Sequence, residues 1–371
     1  MIRTRRHCAS AVCGLVIAAI GAGTGVACTA ARARPRARED VGAGGVRDAL
    51  VGVRTIEIVA AGRATFSARV WYPTSGGEPK TFRANAVLPG YQAVPDGAVA
   101  VKSPAPLVIL LHGSGGGAEG MAWIALELVA HGAIAVAADH PASASGDGRQ
   151  RSILDVWEQP DDVRAMIDQL ESSDWSARID RDRIAVVGFS LGGQSAMLLA
   201  GARFEFARVQ EFCKTHRDGA CEALQPYFGS FDDAFLARAN ADHADHRIRA
   251  AVAIAPGFTE AMTAASLQAL APTLIIAGGH DQQLPPETRV RPMLVHLRPP
   301  SGYHEIASAK HYSFLPLCRP NANELLAGTP EEGLCQEQVG TTREQIHTEA
   351  LEAITTFLRD RGVLVDSQAR L

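Results

Sequence analysis

Five short runs, at residues 107–111, 133–138, 184–187, 250–254 and 273–277, constrain the fold of this 371-residue chain more than any other feature. Each is a nearly unbroken apolar stretch, the pattern of a strand buried on both faces of a parallel sheet rather than on one. The segments between them carry helix signals. Residues 122–131 read as a helix, and so do 159–170, where Pro160 falls in the first turn and Asp161 and Asp162 face the positive end of the dipole. Strand alternating with helix predicts an α/β chain with a mostly parallel, doubly wound sheet and helices on both faces. In such sheets ligands bind beyond the carboxyl ends of the strands. The residues that follow each run are therefore the ones to read for chemistry.

After 184–187 comes Gly188-Phe189-Ser190-Leu191-Gly192-Gly193, and then a stretch of good helix formers from 194 to 200. This is G-x-S-x-G between strand and helix, the arrangement that thrusts a serine out on a sharp turn. Glycine is required because the helix and the backbone crowd beneath that turn. A serine hydroxyl is a weak nucleophile at neutral pH and needs a base, and imidazole titrates in the right range. The imidazole in turn needs a carboxylate to fix its tautomer and stabilise its cation. In a sheet of this kind the order is Ser, acid, His at successive strand ends. Ser190, Asp281 and His311 satisfy it: Asp281 follows 273–277 through Gly278-Gly279-His280, and His311 follows a last strand near 303–307.

The rivals fit less well. Asp139 and His140 precede the serine, His304 lies inside the last strand, and His280 adjoins the acid with no route to Ser190. Glu260, after the 250–254 strand, is the alternative acid. An oxyanion forming beside Ser190 needs two converging N–H donors. Leu191 offers one, and Ser114, in the Gly-rich loop His112-Gly113-Ser114-Gly115-Gly116-Gly117, offers the second. His112 itself is read as structural, its ring bonding the loop backbone.

Charge and cysteines bound the partners and the compartment. A formal net charge of −4 excludes a nucleic-acid groove as the organising feature. The basic cluster lies at the start, where Arg3, Arg5 and Arg6 precede an apolar run from about 9 to 27. A charged head, an apolar middle and small residues at the end predict a secretory signal over 1–30. The competing readings are a transmembrane anchor, a twin-arginine signal at Arg5-Arg6 and a lipoprotein signal with lipidation of Cys28, which would attach the chain to a membrane. Removing the leader leaves Cys213, Cys221, Cys318 and Cys335. Four cysteines allow three pairings. In an oxidising compartment the short-range solution, Cys213–Cys221 with Cys318–Cys335, is expected.

The remaining segments complete the plan. Residues 31–50 read as a flexible linker, 51–362 as the folded domain and 363–371 as a tail. A hairpin is expected from 55–59 and 67–72, a surface loop from 73–104, a helix around 286–296 and a one-sided helix over 342–361. Residues 202–247 interrupt the alternation with Phe204, Phe206, Phe212, Tyr227, Phe228, Phe231 and Phe235. They predict a small helical insertion whose aromatics either line an apolar pocket or pack the insertion on the body. Asp242-His243-Ala244-Asp245-His246 imitates a metal site but reads as a solvated linker.

Arg69-Val70-Trp71-Tyr72-Pro73, His112-Gly113-Ser114-Gly115-Gly116, Asp139-His140-Pro141, Gly188-Phe189-Ser190-Leu191-Gly192-Gly193, Ala277-Gly278-Gly279-His280-Asp281 and His311-Tyr312-Ser313-Phe314-Leu315 together resemble the α/β-hydrolase superfamily. Within it they are similar to a bacterial dienelactone hydrolase-like family akin to platelet-activating factor acetylhydrolases. The resemblance runs from about 54 to 357. It implies an α/β-hydrolase fold and an exported serine esterase. The chain is further expected to be a monomer without cofactor or metal, acting on a small-molecule or lipid ester in the periplasm or outside the cell. Its triad would be Ser190, Asp281 and His311. Two departures stand out: dienelactone hydrolases use a cysteine where this chain has Ser190, and the acetylhydrolases take their acid from the preceding strand, where this chain offers Glu260. Phospholipid deacetylation, polyester cleavage and amide hydrolysis use the same machinery. A binding protein that keeps the fold without catalysis is the reading from another class.

Overall fold

The computed structural model describes residues 50–60, 62–101, 103–141, 153–229 and 231–365. The expected leader, Cys28 and the linker up to residue 49 lie outside the described residues. Among these residues no helix is long and apolar enough to cross a membrane.

The chain runs β1 (Val51–Ile58), β2 (Phe66–Pro73), β3 (Lys80–Phe82), β4 (Tyr91–Pro95), β5 (Ala105–Leu111), α1 (Ala122–Ala130), β6 (Ile134–Ala138), α2 (Glu158–Glu171), β7 (Ile179–Phe189) and α3 (Leu191–Leu199). It continues through α4 (Ala207–Thr215), α5 (Gly219–Leu224), α6 (Asp233–Ala239), β8 (Ile248–Ile254), α7 (Ala264–Gln268), β9 (Thr273–Gly278), β10 (Gly302–Ile306), α8 (Ala322–Leu326) and α9 (Arg343–Asp360). One sheet joins all these strands in the order β10-β9-β8-β7-β5-β6-β2-β1-β4-β3. From β6 to β10 the pairing is parallel, and β2 meets both β6 and β1 antiparallel. The chain therefore has the α/β architecture expected, with an antiparallel hairpin appended.

β5 is buried at every position, and its alternation divides the core between two faces. Val108 and Leu110 point into the cluster that holds Ile124 and Leu128 of α1 and Ile354 and Leu358 of α9. Leu107, Ile109 and Leu111 point the other way, onto Val163, Met166, Ile167 and Leu170 of α2. Fully burying a Leu or Ile side chain contributes about 1.5–3 kcal/mol, so this strand ties both layers together. β6 and β7 lie on opposite sides of β5. The chain leaves β5 for α1 on one face and β7 for α3 on the other, the kind of reversal beside which ligands bind in open α/β sheets.

Three expectations need correcting. Residues 73–104 hold the short strands β3 and β4, with β4 pairing parallel to β1 and β3 antiparallel to β4. The 286–296 stretch is not one helix: the N–H groups of Arg289, Val290 and Arg291 bond to the Pro285 and Pro286 carbonyls, and only Arg291–His296 forms a 3-10 helix. Pro292, lacking an N–H, falls where a continuous helix would need a donor. Finally, Val363 and Leu364 pack in the core at 1% and 2% exposure, so the packed body runs past residue 362.

The insertion is helical, as α4 to α6. Phe206 is fully buried and meets Phe204, Phe231, Phe235 and Phe258 edge to face. Four of the aromatic residues thus pack the insertion against the body rather than line an empty pocket. Disulfides join Cys213 to Cys221 and Cys318 to Cys335.

Candidate active site

β7 delivers Ser190 on a turn with φ 55 and ψ −114, a region in which a non-glycine residue is strained by about 1–3 kcal/mol. Neighbouring bonds hold it there: the Ser190 N–H donates to the Ile254 carbonyl at 2.8 Å, and its carbonyl accepts from Gln194 N–H at 3.0 Å. The flanking glycines are compulsory. A Cβ on Gly188 would stand 2.0 Å from the Gly192 carbonyl oxygen, and one on Gly192 would stand 2.1 Å from that of Leu111. The side chain of Ser190 is left partly exposed above α3.

His311 opens a 3-10 turn after β10, and Asp281 lies in the loop after β9. The two are buried, at 7% and 4% exposure. His311 Nε2 is 3.1 Å from Ser190 Oγ, and His311 Nδ1 is 2.7 Å from Asp281 Oδ2. The other carboxylate oxygen, Oδ1, accepts the N–H groups of Gln283 at 2.8 Å and Leu284 at 2.7 Å. Those two bonds turn the carboxylate so that Oδ2 faces the ring. The ring of Phe189, 5.0 Å from that of His311, packs beside it. With Nδ1–H donating to Asp281, Nε2 is left to accept the Ser190 proton.

Glu260 is committed elsewhere. Its side chain is 5% exposed and forms a 2.7 Å ion pair with Nη1 of Arg289, close in charge but not aligned as a hydrogen bond. Burial raises its pKa, and the Arg289 charge only partly opposes this. Asp281 therefore stands where the imidazole is, and Glu260 does not.

The loop after β5 comes against the serine. A Cβ on Gly113 would lie 3.2 Å from both Phe189 and the Cβ of Ser190. Ser114, next in the chain, is exposed, and Leu191 is buried at the start of α3. No hydrogen bond among the described residues occupies the N–H of either. His112 is wholly buried, and burial first, then the neighbouring His140, lowers its pKa to about 3. It stays neutral, with Nδ1–H donating to the Gly113 carbonyl at 2.7 Å and Nε2 accepting from His140 N–H at 3.4 Å. Gly116 N–H reaches the same carbonyl at 3.0 Å.

Beneath this loop lies a polar group that sequence reasoning missed. Asp162, wholly buried, accepts from Nδ1 of His140 at 3.0 Å and from Arg63 at 2.6 Å. In the sequence it read as a dipole-facing acid of a helix start. The neighbouring His140 was visible as a strand-end residue, but nothing in the spacing ties it to position 162. Of the 242–246 stretch, His243 bonds the Arg238 carbonyl and Asp245 pairs with Arg247. Among the described residues no group of three or more His, Cys, Asp or Glu side chains could hold a metal ion.

No family model matches the chain. Over 136 residues it is 33% identical to a protein of Nocardia uniformis subsp. tsuyamanensis named "Putative esterase NocK"; the match takes in 33% of this chain and 34% of that protein. The chain thus spans about a third of the length of that curated relative. A ferulic acid esterase from Streptomyces cinnamoneus superposes with a TM-score of 0.58 at 19% identity, over 84% of this chain and 90% of that one. A Klebsiella pneumoniae subsp. pneumoniae structure titled "Putative Dienelactone Hydrolase" superposes with a TM-score of 0.48 at 13% identity, over 83% and 98%. The fold is that of the α/β hydrolases.

Proposed function

We propose that the chain is an exported serine hydrolase that cleaves carboxylic esters through an acyl-enzyme. The observation that carries this reading is the unbroken relay from Asp281 through His311 to Ser190 at one sheet edge, with bonds of 2.7 and 3.1 Å. Ser190 Oγ attacks the ester carbonyl as His311 Nε2 takes its proton, and Asp281 steadies the imidazolium. The tetrahedral oxyanion sits between the N–H groups of Leu191 and Ser114, neither of which bonds another group among the described residues. Collapse breaks the ester C–O bond, and His311 returns the proton to the departing alkoxide. Water, deprotonated by His311, then attacks the acyl-Ser190 ester, and a second collapse releases the acid and restores the hydroxyl. Two disulfides support a location outside the reducing cytosol. The part-length relative named as an esterase supports the ester class.

A fluorophosphonate probe tests the nucleophile: wild type is labelled, and Ser190→Ala is not. Labelling that survives the substitution sinks the reading. A chain-length series of p-nitrophenyl esters, run beside a phospholipid and a polyester film, then assigns the substrate. Short and medium acyl chains are expected to be turned over fastest.

A further inference from the structure

The loop that aims Asp281 has its other side toward the insertion. Gln283 and Leu284 turn the carboxylate with their N–H groups, and the carbonyls of Gln282 and Gln283 point outward to accept the N–H groups of Gly219 at 3.3 Å and Ala220 at 3.2 Å. The approach is close: a Cβ on Gly219 would lie 2.1 Å from the Gln283 side-chain oxygen. Beside these contacts a cleft of about 460 Å3 opens among His216, Arg217, Gly279, His280 and Thr288, so the apolar core does not back the loop on this side.

What holds the Gly219 segment is a buried guanidinium. Asp218 caps α5 through a 2.8 Å bond from Cys221 N–H. Arg289 grips the same carboxylate with two bonds, Nε to Oδ2 at 2.7 Å and Nη2 to Oδ1 at 2.8 Å. Its Nη2 also reaches Sγ of Cys221 at 3.3 Å, and its plane lies 4.7 Å over the Phe212 ring. Nη1 takes Glu260. The side chain of Arg289 has no exposed surface. Arg289 lies eight residues beyond Asp281 in the same connection, and so it closes a ring: Asp281, Gln283, Gly219 and Ala220, Asp218, Arg289.

Burying a guanidinium with two carboxylates is a poor way to gain stability, since apolar side chains of the same volume serve as well or better. It does impose one geometry, because a planar fork accepts a carboxylate in a single orientation. We propose that Arg289 is a positioning residue for Asp281, locking the insertion onto the acid loop so that the carboxylate stays aimed at His311. This rests on the triad reading above.

The test uses the full chain, p-nitrophenyl acetate as substrate, and a fluorophosphonate to count competent sites. Arg289→Met removes the lock. Asp218→Asn is the milder variant, because asparagine still caps the helix; it keeps the test alive should Arg289→Met fail to fold. In both, kcat per titrated site is expected to fall, by about ten- to a hundredfold for Arg289→Met, the scale set by displacing a catalytic group by an ångström, while KM holds. The acidic limb of the kcat–pH profile should move to lower pH, because an imidazole that loses its carboxylate neighbour gives up its proton more readily. A merely structural role would reduce the number of titrated sites and the melting temperature but leave kcat per site and the pH limb in place, and that result overturns the proposal. Ester turnover that survives Ser190→Ala would instead overturn the triad reading, whatever Arg289 does.

Discussion

The acid arm and the base arm of the site are built alike and secured differently. In each, a loop after a parallel strand carries the functional side chain, a disulfide lies close by, and a buried arginine touches one of its sulfurs: Arg289 at Cys221, Arg343 at Cys318. Arg289 is held by two carboxylates drawn from distant parts of the chain, Asp218 and Glu260. Burial depresses its pKa, but the Asp218 bonds and the Glu260 charge outweigh this and raise it. Arg343 has one carboxylate, Glu337, six residues away, and otherwise the carbonyls of Pro316 and Leu334. Burial wins there, and its pKa is lowered. The bonds of Arg343 thus stay within the last third of the chain, whereas those of Arg289 form only once insertion and sheet have met.

The largest effect that would break this comparison is kinetic. Asp281→Asn should reduce kcat by roughly 10⁴, as expected where the wrong imidazole tautomer is favoured, whereas Glu260→Gln should change it far less. Steady-state rates on one ester decide it, and the reverse ranking would move the acid to Glu260. Next comes stability. Arg289→Met leaves two buried carboxylates without their cation and should cost about 3–5 kcal/mol. Arg343→Met, which leaves one carboxylate and two carbonyls, should cost about 1–3 kcal/mol. Urea midpoints at constant slope compare the two, and equal losses would erase the contrast.

A third prediction separates the arms by pH. His347 bonds the Leu315 carbonyl through Nε2 at 3.0 Å and stacks on Trp123 in the base arm. Burial, with Arg343 nearby, lowers its pKa to about 4. Between that value and the unfolded value near 6.5 the unfolded chain binds the extra proton. The stability that neutral His347 contributes is therefore present above about pH 6.5 and lost as pH falls toward 4, to an extent on the order of 3 kcal/mol. Glu260 in the acid arm has the opposite sign, because its raised pKa makes the folded state the better proton binder. Urea unfolding of wild type and His347→Gln at pH 7.5 and 4.5 checks this; a variant with the same acid loss as wild type refutes it. The smallest effect concerns the cap of α9. Thr342 accepts from Gln345 N–H at 3.3 Å, completing a capping box, and Thr342→Ala should cost about 1 kcal/mol by thermal melting with activity per site unchanged.

Much of this was legible beforehand, for identifiable reasons. A strand buried on both faces must be apolar throughout, so β5, β6, β8 and β9 announced themselves. The elbow glycines are dictated by contacts within a few residues. Other features had no local signature. β3 and β4 are short edge strands among glycines and prolines, and pairing rather than composition makes them strands. The first residues of β7 include Asp180, Arg181, Asp182 and Arg183, whose charges hide its start. The insertion's aromatics fit packing and pocket equally well until Phe206 was found enclosed.

The sequence by itself determined the parallel core of the sheet, the serine on its turn and the order in which acid and histidine follow, because each depends on residue types at short spacing or on a topology with few alternatives. Only the tertiary structure decided that Asp281 and not Glu260 faces His311, that Asp162 turns inward to His140, and that Arg289 joins the insertion to the acid loop. Those choices are contacts between positions up to 71 residues apart. A charged side chain reads alike whether it meets water or a buried partner, and only the fold brings the partner within reach.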